Sequence, residues 1–314
     1  MTITSLLTRR FLRRALARPN LTYFLWRFVA NATRTRKFLR TRPEFDDAPA
    51  IADSLRQQGL VVGHSAQFLT DAGERALRDA ADCVLRVGDN DDLVRRMRGE
   101  LVDPASNKDF MIQLVSYPDG IPAEDRLLAV ALDRKLLEIV ADYLGLWPSL
   151  YSVNAWLHYP TDAPAHQSQL WHRDPEDLKV VKVFIYLDQV DESCGPFSYI
   201  PGTQPFGSRT AAGRELERQK RVTDAEIGRV FPPESWRVCT GSANTMILAD
   251  TVGYHRGGKP TVGRRILLAF TFTSGAPIKE RRVKLQAIPD WASREIQRAA
   301  IGRLLVGETS LRLG

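Results

Sequence analysis

The stretch QLWHRDPEDLKVVKVFIYL, residues 169–187, sets the reading of this chain. Its second half, Lys179 to Leu187, is a run of β-branched and aromatic residues, the composition of a strand. Its first half holds His172 and Asp174 with one residue between them. In an extended segment, residues two apart project to the same side, so both side chains reach one metal ion. A third ligand from a distant strand would complete a set of two imidazoles and one carboxylate. Such a facial set leaves three coordination positions open, which suits iron(II) with a bidentate cosubstrate and oxygen.

Working outward, similar short runs fill the second half of the chain: Tyr151–Tyr159, Phe197–Ile200, Thr245–Leu248, Ile266–Thr273 and Arg282–Ala287, separated by Gly and Pro turns. The charged segment Thr210–Arg221 interrupts them as a helix, and Trp291–Leu305 again has helical spacing. Upstream, the spacing predicts helices over Pro49–Gln58, closed by Gly59, and over Asp71 to about Val87, capped by Thr70. Glu124–Tyr143 carries the pattern of one or two more, ending at Gly145. The predicted fold is therefore α+β, with helices packed around a barrel or sandwich of strands.

Five histidines occur, and besides His172 the one in a telling context is His255, within Asp250-Thr251-Val252-Gly253-Tyr254-His255-Arg256-Gly257-Gly258. A Gly-rich turn ending in histidine is followed by Arg264 and Arg265 at the head of the apolar run Ile266–Phe272. A guanidinium there can hold a distal carboxylate bidentately. Strand alternation turns only one of the two arginines inward. On Tyr151–Tyr159, Asn154, Trp156 and His158 share one face and form a candidate pocket wall or a solvent-facing side. His158 and His166 read as ordinary hydrogen-bonded residues, Trp171 as packing beside the metal, and His64 as structural.

Taken together, Gln169-x-Trp171-His172-Arg173-Asp174, the segment Val183–Asp188 with Gly195–Thr203, and His255-Arg256-Gly257-Gly258 leading to Arg264-Arg265 give a chain that resembles the phytanoyl-CoA dioxygenase-like branch of iron(II)- and 2-oxoglutarate-dependent oxygenases. The resemblance spans roughly residues 50 to 290. It implies a double-stranded β-helix, a jelly-roll or cupin-like barrel with supporting helices. It also implies iron(II) on His172, Asp174 and His255, with 2-oxoglutarate held by Arg264 or Arg265 and touched by Gln169. Oxygen would be the second cosubstrate, and hydroxylation of a small-molecule or lipid-like substrate would release succinate and carbon dioxide. Halogenating relatives carry a small residue at the carboxylate position, so Asp174 implies a hydroxylase. The chain departs from the common Pro-Gly-Ser-His turn, having Pro201-Gly202-Thr203-Gln204. Two other readings fit parts of this pattern: a β-helix that binds a metal or ligand without catalysis, and a metal-dependent cupin-like enzyme that does no oxygen chemistry.

The remaining features concern charge and compartment. Of 44 basic residues, eleven fall in residues 1–43, which contain no acid, while the rest of the chain holds all 37 acidic residues. The net charge of +7 thus belongs to one arm, and no nucleic-acid partner is expected. Residues 1–43 interleave arginines with Leu6, Leu7, Phe11, Leu12, Leu16, Phe24, Leu25, Trp26 and Phe28, the pattern of basic amphipathic helices broken near Pro19. Such an arm suits an anionic membrane surface, a partner protein, removal as a transit peptide, or packing on its own body. Residues 44–314 are expected to form the oxygenase domain. The three cysteines, Cys83, Cys194 and Cys239, are odd in number and widely spaced, so they read as structural thiols in a reducing, cytoplasmic compartment.

Overall fold

The computed structural model describes residues 19–91, 94–95, 109–210, 212, 216, 219–279 and 284–302. Residues 19–40 form α1 (Pro19–Leu25), a π-helical turn (Trp26–Ala30) and α2 (Ala32–Arg40). Next comes α3 (Ala48–Gln58), which stops at Gly59, where a left-handed φ of +73° suits glycine. A methyl at Gly59 would also collide with the Tyr199 hydroxyl and the Gln204 carboxamide. The following helix, α4 (Asp71–Gly88), starts at Thr70, whose hydroxyl accepts from the Gly73 N–H. The pattern over Glu124–Tyr143 splits into α5 (Arg126–Ala131) and α6 (Arg134–Leu144). The break has a chemical cause: Asp133 takes the cap of α6 from Lys135 and Leu136 N–H groups and also accepts from the Thr70 hydroxyl at 2.5 Å. The last helix is α8 (Glu295–Ile301), following the single turn α7 (Asp224–Ile227).

Strands build two sheets. The larger runs β1 (Leu60–His64), β7 (Thr245–Asp250), β4 (Val181–Tyr186), β9 (Arg265–Thr273), β3 (Ser149–His158), β2 (Met111–Gln113), antiparallel throughout. The smaller has the order β6 (Arg237–Cys239), β5 (Phe197–Tyr199), β8 (His255–Gly257). Alternation along the larger sheet separates two cores. Val153, Val183, Leu248 and Phe270 pack outward against the helices, in the same cluster as Leu136, Ile139 and Val140. Ile247, Ala249, Leu267 and Ala269 face the other way and meet Phe197, Tyr199 and Cys239 of the smaller sheet. The barrel implied by the sequence thus takes the form of two facing sheets, with no ladder joining them among the described residues.

Two expected elements differ. Within Arg282–Ala287, positions 282 and 283 lie outside the described residues, and the remainder contributes one parallel bridge, Leu285 to Ile121, in place of a strand. Thr210–Arg221 and the end of Trp291–Leu305 also lie largely or partly outside them.

The described part of the basic arm packs on the body. Trp26 joins the helix-side core and donates to Asp177 at 2.9 Å, Arg27 donates to the Gly145 carbonyl, and Arg34 reaches the Pro148 and Ala299 carbonyls. No helix among the described residues is long and apolar enough to cross a membrane.

Asp177 gives this junction a pH dependence. Burial raises its pKa to about 6, against the lowering effect of the Ser274 hydroxyl and of the Ser274, Leu178 and Trp26 N–H groups. A carboxyl whose folded pKa lies above its unfolded value stabilises the fold at low pH and loses that contribution as pH rises through about 6. In urea titrations at pH 4 and pH 7, wild type should therefore lose up to about 3 kcal/mol relative to Asp177→Asn on going to the higher pH. Parallel pH profiles for the two proteins would contradict this.

Candidate metal centre

The segment holding His172 and Asp174 is stitched by backbone to the turn that carries His255. His172 and His255 exchange both N–H to carbonyl bonds, at 2.9 and 3.0 Å, and the Asp174 N–H donates to the Thr251 carbonyl at 2.8 Å. On its other side, Trp171 exchanges the same pair of bonds with Val222. Sequence-distant side chains consequently converge: one ligand atom each of His172, Asp174 and His255 lie within 4.8 Å of one another, and all three residues are buried.

Each imidazole is oriented for ligation. The His172 Nδ1 lies 2.8 Å from the Leu170 carbonyl and the His255 Nδ1 lies 3.0 Å from the Gly253 carbonyl. A carbonyl only accepts, so both Nδ1 atoms carry the proton and both Nε2 lone pairs are free. Those Nε2 atoms point toward Asp174, at 3.9 Å from Oδ1 and 3.4 Å from Oδ2 respectively. Burial, followed by repulsion from His255, holds the His172 pKa well below the ordinary histidine value, and burial lowers that of His255. Burial alone would raise the Asp174 carboxyl; Lys182 and then the two histidines outweigh it and keep the pKa well below the usual range. Two neutral imidazoles and one carboxylate are the donor set that a divalent transition metal takes in a facial site.

Lys182 is the functional neighbour missing from the sequence analysis. Its Nζ sits 2.6 Å from Asp174 Oδ2. Burial would lower its pKa, but Asp174 and Glu176 raise it, so the ammonium stays charged. The signal was present: a lysine in the centre of an otherwise apolar strand, two and four residues from the inward-facing Phe184 and Tyr186.

The two candidate arginines part company. Arg264 precedes β9 and turns outward to the Gly88 carbonyl and the Asp89 carboxylate. Arg265 opens the inner face of β9 that continues as Leu267 and Ala269, and is 2% exposed. The Tyr186 hydroxyl hydrogen-bonds its guanidinium, yet its Nε and Nη1 have no partner among the described residues. Gln169 is buried as well; its Oε1 accepts from the His166 N–H while its Nε2 is unsatisfied. Gly257 of β8 lies between Arg265 and the backbone preceding Gln169: a methyl there would lie 3.3 Å from Arg265 Nη2 and 3.8 Å from the Ser168 carbonyl. Buried donors without acceptors cost several kcal/mol unless a ligand supplies them, and donors of this kind fit a carboxylate.

Asn154, Trp156 and His158 lie on the inner face of β3, opposite Ala269, Leu267 and Arg265, so they face the interior of the fold and not solvent. His166 is tied to Asp109 and the Pro164 carbonyl, and His64 accepts from the Ala66 N–H, as ordinary hydrogen-bonded residues. Trp171 is buried against Trp236 beneath Arg256. All three cysteines are free. In the divergent turn, Thr203 Oγ1 accepts from the Tyr254 N–H, the neighbour of His255, and Gln204 donates to the Arg56 carbonyl.

No family model and no curated protein matches the chain. Among solved structures it is similar to the non-heme alpha ketoglutarate dependent epimerase SnoN from nogalamycin biosynthesis, at 15% identity over 73% of this chain and 84% of SnoN, with a TM-score of 0.45. It is similar also to EctD from S. alaskensis with bound Fe, at 17% identity over 79% and 83%, TM-score 0.44. A third is HygX from Streptomyces hygroscopicus with nickel and 2-oxoglutarate bound, at 16% identity over 72% and 87%, TM-score 0.43. At this level of likeness the activity rests on the chain's own residues.

The Lys182 ammonium competes with a divalent cation for Asp174 and repels it. Because 23% of its side chain is exposed, solvent moderates the effect. Cobalt(II) titration should show Lys182→Met binding about tenfold tighter than wild type, and Asp174→Ala without measurable binding. Equal affinities of Lys182→Met and wild type would contradict the competition.

Proposed function

We propose that this chain is an iron(II)- and 2-oxoglutarate-dependent oxygenase on a double-stranded β-helix, of the phytanoyl-CoA dioxygenase-like kind, with residues 44–314 as the catalytic domain. The observation that carries the reading is a buried His-Asp-His set and, against Gly257 two residues on from His255, an equally buried arginine with two guanidinium nitrogens unsatisfied among the described residues. A metal site alone fits many chemistries. An orphaned guanidinium close by adds the requirement for an anionic ligand, which a dicarboxylic cosubstrate meets.

In this reading His172, Asp174 and His255 hold iron(II), Arg265 takes the distal carboxylate of 2-oxoglutarate, and Gln169 Nε2 donates to the cosubstrate. Iron(II), when bound, supplies the oxygen chemistry that converts 2-oxoglutarate to succinate and carbon dioxide while oxidising the substrate. The protein's share is positional. Tyr186 fixes the guanidinium from behind, with its own hydroxyl donating to the Cys239 carbonyl and accepting from the Phe197 N–H. The inner faces of β3, β4 and β9 exclude water. Asn154 and Trp156 line the side where a small-molecule substrate approaches. Asp174 occupies the carboxylate position, which supports hydroxylation of a C–H bond over halogenation. Three free thiols, two of them buried, agree with a cytoplasmic protein.

Anaerobic addition of iron(II) and 2-oxoglutarate should give a weak visible charge-transfer band in wild type. The band should be absent in Asp174→Ala. With Arg265→Leu it should need about a hundredfold more 2-oxoglutarate, the loss of a bidentate charged pair in a buried site, whereas Arg264→Ala should titrate as wild type does. Metal-loaded wild type that binds no 2-oxoglutarate, or an Arg264 variant that loses it while the Arg265 variant keeps it, would overturn the assignment.

A further inference from the structure

We propose that the outward face of residues 20–42 docks on an anionic phospholipid surface. The fold divides this segment into two faces. Thr22, Trp26, Asn31 and Thr35 are buried, and Arg27 and Arg34 spend their guanidinium groups on carbonyls of the body. Leu21, Phe24, Phe28, Val29 and Leu39 remain on the outside. Five of the twelve exposed large hydrophobic residues among those described therefore gather in this short segment, and Val29 is 64% exposed. The Phe24 and Phe28 rings, one helical turn apart, pack on each other at 5.1 Å. Beside them a surface groove between the π-helical turn and α2 is lined by Phe28, Ala32, Thr35, Arg36, Leu39 and Arg40.

That lining pairs apolar side chains with two guanidinium groups. It matches a lipid at its interface, where acyl chains meet phosphate. Charge selects the same occupant. Arg36, Arg40 and Arg42 are exposed, residues 1–43 hold no acid, and the sequence of residues 1–18 repeats the mixture with Arg9, Arg10, Arg13, Arg14 and Arg18 among leucines. A second copy seated on this face would oppose arginine to arginine. An anionic bilayer instead takes the aromatic residues into its headgroup boundary and the arginines onto phosphates, while the net acidic remainder of the chain faces away.

The test is co-sedimentation of the full chain with vesicles of phosphatidylcholine alone or mixed with phosphatidylglycerol. Binding to the mixed vesicles, absent with phosphatidylcholine alone and falling as salt is added, is the expected result. Phe24→Ser with Phe28→Ser, and separately Arg36→Glu with Arg40→Glu, should each weaken it at least tenfold. These side chains are outside the core, and unchanged circular dichroism and cobalt(II) binding would show that each variant is folded. Absence of vesicle binding by wild type, equal binding to phosphatidylcholine alone, or wild-type binding by both folded variants would overturn the proposal. So would a concentration-dependent dimer that the phenylalanine variant abolishes while wild type ignores vesicles.

Discussion

His172 and His255 meet because their backbones exchange two hydrogen bonds, and the rest of the site depends on that pairing. A hydrogen-bonded antiparallel pair sets its two residues about 5.5 Å apart with side chains on one face. The imidazole centroids accordingly lie 4.2 Å apart. Asp174, two residues on, projects to the same side, and its N–H bond to Thr251 continues the alignment. Register therefore carries the geometry: a one-residue slip would send both His172 and Asp174 to the opposite face. Backbone pairing also explains how two ligands so far apart in sequence are held without a long connecting scaffold.

The register is tied to the helical layer through one buried carboxylate. Asp250 Oδ1 accepts from the Val180 and Val252 N–H groups, at the start of β4 and in the turn before β8. Its Oδ2 bonds the Tyr143 hydroxyl of α6, and its backbone carbonyl accepts from the Tyr199 hydroxyl. Burial raises the pKa of Asp250, with the Tyr143 hydrogen bond and then Lys179 opposing the rise. Lys179 in turn donates to the Tyr143 carbonyl and stacks over its ring. Sheet, helix and ligand turn thus share a single polar knot, and a fully connected buried network of this kind rigidifies what it joins.

Local chemistry was legible in the sequence where it is written in local signals. Thr70 before Asp71, Gly59 after Gln58 and Gly145 after Leu144 mark helix ends that form as read. The ligand triad was legible because His-x-Asp in an extended segment constrains direction, and because a glycine-rich turn brings His255 close. Alternation showed that one arginine turns inward but could not choose between 264 and 265, since the run Ile266–Phe272 is apolar on both faces and each face packs into a core. Lys182 went unread for a related reason: a charge inside an apolar strand looks like an edge residue until the strand is seen to be central, between β7 and β9. The arm was ambiguous because packing and membrane contact call for the same amphipathic pattern. The fold shows that the segment has enough apolar residues for both an inner and an outer face.

Two interior cations, treated differently, indicate where the ligand's charge belongs. Lys182 has found Asp174, so its charge is compensated within the chain. Among the described residues Arg265 is hydrogen-bonded by the neutral Tyr186 hydroxyl while its Nε and Nη1 lack acceptors, and Gln169 adds an unsatisfied Nε2 from the segment packed on β8. Had selection acted on stability alone, an apolar residue at 265 would serve better, since it would remove a buried uncompensated charge. The arrangement makes sense if an anion supplied from outside completes it, so that ligand binding is stabilising as well as functional. An anionic ligand entering the interior is therefore drawn to Arg265, and the Asp174 side, already neutralised, offers it little.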